Sequence, residues 1–354
     1  MKIASIVGVR PQFVKASVVS KELRKKHDEI LIHTGQHYDY QMNNVFFSEL
    51  NIPEPDYFLG IGSGSHGFQT GEMLKKIEEV LIREEPDIVL TYGDTNSTLA
   101  GALAASKLHI KNAHVESGLR SFDRLMPEEI NRVLTDHCSD LLFCPTGNAV
   151  SNLKNEGITD NVYLTGDVMA DSLLYNKKIA ESKSNILDDL GLKSKGYFLT
   201  TIHRASNTDN RENLKNIVDA FSELKETVVF PVHPRTEKFL KEYGMYEKLN
   251  SSVKLVKPLG FLDFIKLMNH AKMMLTDSGG IQKEAYILKI PCITLRENTE
   301  WVETVEDRWN VLVGADKDKI IEMANGFHPS LKTHEDRFGN GNASEKIASI
   351  IDTQ

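Results

Sequence analysis

The sequence predicts an α/β protein built from two doubly wound domains. Short β-rich apolar runs alternate with longer amphipathic stretches along the chain, the pattern of a parallel sheet covered by helices. These runs fall into two sets separated by a polar stretch, Lys177 to Lys195, that is poor in aromatic and β-branched residues. At 354 residues the chain also exceeds what one ordinary hydrophobic core organises.

The first set of predicted strands comprises Lys2 to Val7, Glu29 to His33, Asp87 to Thr91, Asn112 to Val115, Asp140 to Cys144 and Asn161 to Leu164. The second comprises Tyr197 to Thr201, Thr227 to Pro231, Val253 to Val256, Lys272 to Thr276, Pro291 to Thr294 and Trp309 to Val313. This grouping places an N-terminal domain at 1–168 and a C-terminal domain at 169–340. In the remaining 341–354, a short amphipathic helix from Ala343 to Asp352 follows the Gly-rich turn Phe338 to Asn342. Ligands of doubly wound sheets bind beyond the carboxyl ends of the strands, so residues directly after strands carry the functional weight.

Composition narrows the class. Charged residues make up 26% and hydrophobic residues 40%, with no apolar run long enough to cross a bilayer and no signal-like start, which predicts a cytoplasmic protein without a membrane partner. The net charge of −8 argues against a nucleic-acid surface. Cys138, Cys144 and Cys292 lack the paired spacing of a zinc site and read as reduced, mostly buried thiols; no metal is expected.

The most informative segment runs from Met274 to Ala285. An apolar strand stops at Asp277 and a helix opens through Ser278, Gly279 and Gly280. The first turn of a helix leaves backbone N–H groups without partners, and two glycines let a bulky anion approach them, which suits a phosphate or diphosphate. Glu284 lies four residues past Gly280 on the same face, where a carboxylate accepts hydrogen bonds from both hydroxyls of a ribose. Read alone, the segment fits equally a glycine-lined helix start with Glu284 as a surface charge.

Other strand ends carry charge as well. Gly8-Val9-Arg10-Pro11, with Lys15 one turn into the next helix, offers a phosphate two cations, although Lys15 also reads as a solvated helix lysine. Asp94 and Glu116 each follow a strand and are expected to point into the crevice. Glu128 and Glu129 open a helix at Pro127, where they also suit the positive end of its dipole, and Arg132 has the spacing to pair with Glu128. Carboxylates converging on one crevice acquire tuned pKa values, as general acids and bases do. His203 and Arg204 follow another strand, His203 being placed to hold or protonate a leaving group; His233 reads as supporting structure or a rim contact. Gly62 to Gly67 matches G-x-G-x-x-G spacing, but it is not in the first βαβ turn and no apolar β-branched strand leads into it, so it reads as a flexible loop or, with Gln36-His37 upstream, as a lid over the crevice.

Taken in order, these motifs resemble the non-hydrolysing UDP-N-acetylglucosamine 2-epimerases over nearly the whole chain. The resemblance rests on Gly8-Val9-Arg10-Pro11 with Lys15, Gly35-Gln36-His37, Tyr92-Gly93-Asp94-Thr95, His114 to Arg120, Pro127 to Arg132, Thr201-Ile202-His203-Arg204, Leu267 to Ala271, and Asp277 to Ala285. It implies a GT-B architecture, two Rossmann-like domains with a deep cleft between them, and a C-terminal helix that returns to the first domain. It implies UDP contacts at Arg10, Lys15, Phe264, Ser278, Gly279, Gly280 and Glu284, with His203 shared between binding and chemistry. The matching catalytic set is Asp94, Glu116, Glu128, Arg132 and His203.

The implied reaction interconverts UDP-N-acetylglucosamine and UDP-N-acetylmannosamine by eliminating UDP to 2-acetamidoglucal and adding it back, with no cofactor, in a homodimer. A hydrolysing epimerase and a GT-B glycosyltransferase are the competing activities. Two departures stand out. Trp301-Val302 replaces the Arg-Pro common in bacterial members, and Phe68 precedes Gln69-Thr70 where members activated by a second substrate molecule tend to carry arginine. The second departure predicts weak or absent activation by UDP-N-acetylglucosamine.

Overall fold

The computed structural model describes residues 1–36 and 54–354, which form two compact units. Unit 1 holds Met1–Ser172 and Arg337–Gln354; unit 2 holds Leu173–Asp336. His37 lies outside the described residues.

Unit 1 is a parallel seven-stranded sheet of β1 (Lys2–Val7), β2 (Asp28–His33), β3 (Tyr57–Phe58), β4 (Ile88–Tyr92), β5 (Lys111–Val115), β6 (Leu141–Cys144) and β7 (Val162–Leu164), in the order β3-β2-β1-β4-β5-β6-β7. Chain direction across the sheet reverses between β1 and β4, which pair from Ile3↔Ile88 to Ile6↔Thr91. The segments leaving those two strands, Gly8–Pro11 and Gly93–Asp94, therefore emerge side by side, as the switch point of a doubly wound sheet requires. Strands covered on both faces bury nearly every residue, so β1 and β4 read as continuous apolar runs rather than alternating ones.

Strand β3 escapes sequence reading because it is two residues long and pairs only through Ile32↔Tyr57 and His33↔Phe58. Further along, the reading of Gly62–Gly67 as a loop holds for Gly62–Ser65. The segment connects a strand to the helix His66–Glu84, whose first turn is capped by the Ser65 hydroxyl accepting from Phe68 N–H, so its last two residues are helical rather than loop.

Unit 2 repeats the plan with six parallel strands: β8 (Tyr197–Thr201), β9 (Thr227–Pro231), β10 (Lys254–Val256), β11 (Met273–Thr276), β12 (Cys292–Thr294) and β13 (Asn310–Leu312). Their order is β10-β9-β8-β11-β12-β13, with the reversal between β8 and β11. Ile202–Arg204 and Asp277–Gly280 leave neighbouring strands there. The two sheets with interleaved helices form the pair of Rossmann-like units that the GT-B plan describes.

The chain leaves unit 1 within the helix Val168–Lys183 and re-enters it at Arg337. The closing helix Ala343–Ile351 packs on the helix Arg10–Leu23. Its N-terminal turn is held by Asp171, whose carboxylate accepts from Ala343 N–H at 3.1 Å, Ser344 N–H at 2.7 Å and the Ser344 hydroxyl at 2.6 Å. Ile347 and Ile351 are fully buried. Ile351→Ala is expected to cost about 2–4 kcal/mol, read as a lower urea midpoint at unchanged slope. Among the described residues no helix is long and apolar enough to cross a membrane.

Candidate functional site

Unit 1 gathers its charged groups around the exits of β1, β4 and β5. Gln12, fully buried in the first turn of Arg10–Leu23, stitches the first two exits together. Its carbonyl oxygen accepts from Gly8 N–H at 2.7 Å, and its amide donates to Tyr92 O at 2.6 Å and Thr98 Oγ1 at 2.9 Å. One turn later Lys15 is buried and ion-paired with Glu116. Burial opposes its charge, yet Glu116, Asp94 and Asp167 outweigh that penalty and hold the lysine above its ordinary pKa. Lys15 is thus a buried partner of Glu116 rather than a solvated helix lysine.

The turn after β4 requires a glycine. Gly93 has φ 66°, and a Cβ there would lie 3.2 Å from Lys15 Nζ and 3.3 Å from Glu116 Oε2. Asp94 follows and receives Arg132 through Nη2 at 2.6 Å and Nε at 3.0 Å. Arg132 turns its remaining nitrogen, Nη1, to Glu129 at 3.0 Å. This corrects the expected pairing of Arg132 with Glu128. Residue 129 points inward and accepts from Ser121 and Phe122 N–H at 2.9 Å each, while Glu128 is exposed. Burial pushes the Glu129 carboxyl up, but those two N–H groups and Arg132 hold it below its usual value, so it stays charged and fixes the arginine.

A cavity of about 670 Å³ is lined by Arg10, Gln36, His66, Asp94, Asn96 and Glu128 among others. The three carboxylates thus divide. Asp94 and Glu128 face this cavity, whereas Glu116 stands with Lys15 behind Gly93.

In unit 2 the organiser is Asp277, completely buried at the exit of β11. Its carboxylate accepts from His203 N–H at 3.1 Å, Arg204 N–H at 3.0 Å and Asn207 Nδ2 at 3.1 Å, so the exit of β8 is folded around it. The His203 ring remains half exposed with Nδ1 3.5 Å from Asp277. His233 caps the helix Pro234–Glu242 by accepting from Arg235 N–H, a supporting role.

Helix Gly279–Ile287 begins at Ser278, whose side chain makes no capping bond. At Gly279 a Cβ would approach Glu300 Oε2 at 3.0 Å and Arg204 Nη2 at 3.7 Å, whereas at Gly280 it would meet nothing within 4 Å. The first turn is therefore open to an anion on its Gly280 side, with a guanidinium nearby. Glu284 is half-buried one turn further along, and Phe264 packs against the unit 2 core from helix Phe261–His270. Trp301 receives Lys283, whose Nζ lies 4.3 Å from the ring centre, so the replaced arginine position carries a cation–π pair.

The thiols of Cys144 and Cys292 are pushed up to about 12 by burial, which leaves them inert packing groups. Among the described residues no His, Cys, Asp and Glu side chains cluster as metal ligands.

Residues 21–352 match the model of the UDP-N-acetylglucosamine 2-epimerase family. A UDP-N-acetylglucosamine 2-epimerase homolog of Methanococcus maripaludis is 61% identical over 354 residues, 99% of each chain. The crystal structure of Methanocaldococcus jannaschii UDP-GlcNAc 2-epimerase in complex with UDP-GlcNAc and UDP is 49% identical, covers 100% of both chains and superposes with a TM-score of 0.85. The UDP-2,3-diacetamido-2,3-dideoxy-D-glucuronate 2-epimerase of Pseudomonas aeruginosa is 49% identical over 99% of each chain. With matches of this extent and two doubly wound units whose strand exits carry the motifs described, the chain belongs to the UDP-N-acetylglucosamine 2-epimerase family.

Proposed function

We propose that this protein is a non-hydrolysing epimerase that interconverts UDP-N-acetylglucosamine and UDP-N-acetylmannosamine at C2. The observation that carries the reading is the Lys15–Glu116 and Arg132–Asp94 charge cluster in a chain whose full-length relative was crystallised with UDP-GlcNAc and UDP. The C2 hydrogen is not adjacent to a carbonyl, so it becomes acidic only as the C1–O bond breaks and its electron pair leaves with UDP. A carboxylate then takes the C2 proton, 2-acetamidoglucal forms, and protonation of C2 from the opposite face with return of UDP to C1 gives the epimer.

In this scheme Asp94, Glu116 and Glu128 supply acid and base groups, Arg132 orients Asp94, and His203 serves the leaving diphosphate. Arg10 and Lys15 supply positive charge, the N–H groups of Ser278, Gly279 and Gly280 receive the diphosphate, and Glu284 and Phe264 receive the nucleoside. Each preorganised donor to the departing anion is worth on the order of 10²–10³ in rate. Gly280→Ala, which meets no neighbour, is expected to leave unfolding unchanged within about 1 kcal/mol and to weaken UDP binding about tenfold by calorimetry.

A second substrate has comparable support, because the Pseudomonas relative that acts on a diacetamido uronate is as similar as the methanogen structure. The deciding experiment incubates the protein in D2O with each UDP-sugar and follows sugar and nucleotide by NMR. Deuterium at C2 of a UDP-linked epimer supports the proposal and identifies the sugar. Free sugar indicates hydrolysis, and no C2 exchange with either substrate overturns the reading.

A further inference from the structure

Unit 1 contains a buried ionic chain with no part in the scheme above. His114 on β5 and Asp136 on the helix Pro127–His137 are both fully enclosed. Nδ1 of His114 lies 2.7 Å from Asp136 Oδ1, and Nε2 lies 2.7 Å from the carbonyl oxygen of Gly93. A carbonyl only accepts, so Nε2 carries a hydrogen. Asp136 is acceptor-only as well: burial pushes its carboxyl up, but His114 and Arg120 outweigh that and hold it below the usual range. Both ring nitrogens are therefore engaged, and the ring is held between the two partners.

The second oxygen of Asp136 completes the chain. It accepts from Gly118 N–H at 3.0 Å and from Arg120 Nη1 at 2.7 Å, and Arg120 is in turn held by Glu156. His114 thus grips the turn after β4 at Gly93, while Asp136 grips the turn after β5 at Gly118. Between those two points the backbone is strained. Glu116 has φ 77°, a left-handed conformation costing a non-glycine residue about 1–3 kcal/mol and kept only where the surroundings impose it. Asp94 and Glu116 take their places from these two turns, and Lys15 meets Glu116 from the helix Arg10–Leu23.

We propose that His114 and Asp136 are positioning residues that clamp the Gly93–Asp94 and Glu116–Gly118 turns to each other and, through them, set the geometry of the acid and base groups. The proposal rests on the epimerase reading. Charged or titratable groups around the ring are Asp136 directly, Arg120 through Asp136, and Lys15, Glu116, Asp94 and Cys144 beyond the clamped turns.

The test compares wild type with His114→Gln, Asp136→Asn and the double variant. Active sites are counted by UDP-binding stoichiometry, and kcat and KM are measured on the same samples. The expected result is a kcat lower by about 10²-fold per bound site with KM changed less than threefold, since a displacement of about 1 Å costs that much. The double variant is expected to be no worse than the weaker single variant, because the two act as one unit. Ring 15N spectra of the wild-type histidines should show one imidazole whose Nε2 hydrogen is slow to exchange, a readout independent of whether the variants fold.

Two outcomes overturn the clamp: a kcat per bound site within threefold of wild type, or no slowly exchanging Nε2 hydrogen on a histidine in the wild-type spectrum. An inert wild type overturns the epimerase reading and the clamp with it. An active wild type with unaffected variants overturns the clamp alone.

Discussion

Glu116→Gln is expected to lower kcat about 10²–10⁴-fold, the span lost when a positioned acid or base is neutralised. Glutamine preserves the shape of the side chain and can still accept from Lys15, so the turn at φ 77° has no new steric reason to move. The ammonium, however, loses its closest negative charge in a buried setting, and breaking such a pair costs about 3–5 kcal/mol. The prediction therefore has two readings on one sample: C2 deuterium incorporation followed by NMR, and the urea unfolding midpoint. UDP affinity should change little, because the groups proposed to hold the nucleotide are carried chiefly by unit 2. A kcat within threefold of wild type would remove Glu116 from the chemistry.

Asp277→Ala is expected to be the most destabilising single change in unit 2, at about 3–5 kcal/mol. The fully buried carboxylate is the common acceptor for His203 N–H, Arg204 N–H and Asn207 Nδ2, and alanine removes it from all three, leaving Asn207 only its bond to Leu295 O. Because β8 and β11 are neighbours, the loss also frees the His203–Arg204 segment beside Gly279. UDP binding should fall by more than tenfold even in the folded fraction. Asp277→Asn, which retains one acceptor oxygen, should recover part of both losses. A Tm and a UDP Kd indistinguishable from wild type in Asp277→Ala would show that the β8 exit holds its shape by other means.

The course of the sheets was legible in the residues because parallel strands covered on both faces must be apolar along their whole length. Lys2–Val7, Tyr197–Thr201 and Thr227–Pro231 match their predicted limits, and most other strands shift by one residue at an end. Strand β3 carries too few residues to show any period. The strand exits were legible too, placing Asp94, Glu116, His203 and Gly279 where the sheets end.

The groups that hold those residues were not legible. Gln12 meets Tyr92, and Asp277 meets His203, across more than seventy residues of chain, so neither pairing leaves a local signature. A carboxylate closing an apolar strand, as Asp277 does, was the available cue. Arg132 was assigned to Glu128 by helical spacing, but the inward face of its helix belongs to Glu129, and long-range contact with Asp94 decided the partner.

The return of the chain at Arg337 bears on how the protein is made. Unit 2 is an insertion within unit 1, so its whole sequence has been synthesised once residue 336 is added. Unit 1 lacks the helix that covers Arg10–Leu23 until residue 351 follows. A chain cut short before that helix can complete the inserted unit while its host keeps an uncovered apolar flank, a state that invites chaperone capture. Released chains truncated after residue 340 should show a protease-resistant inner fragment and a susceptible N-terminal half.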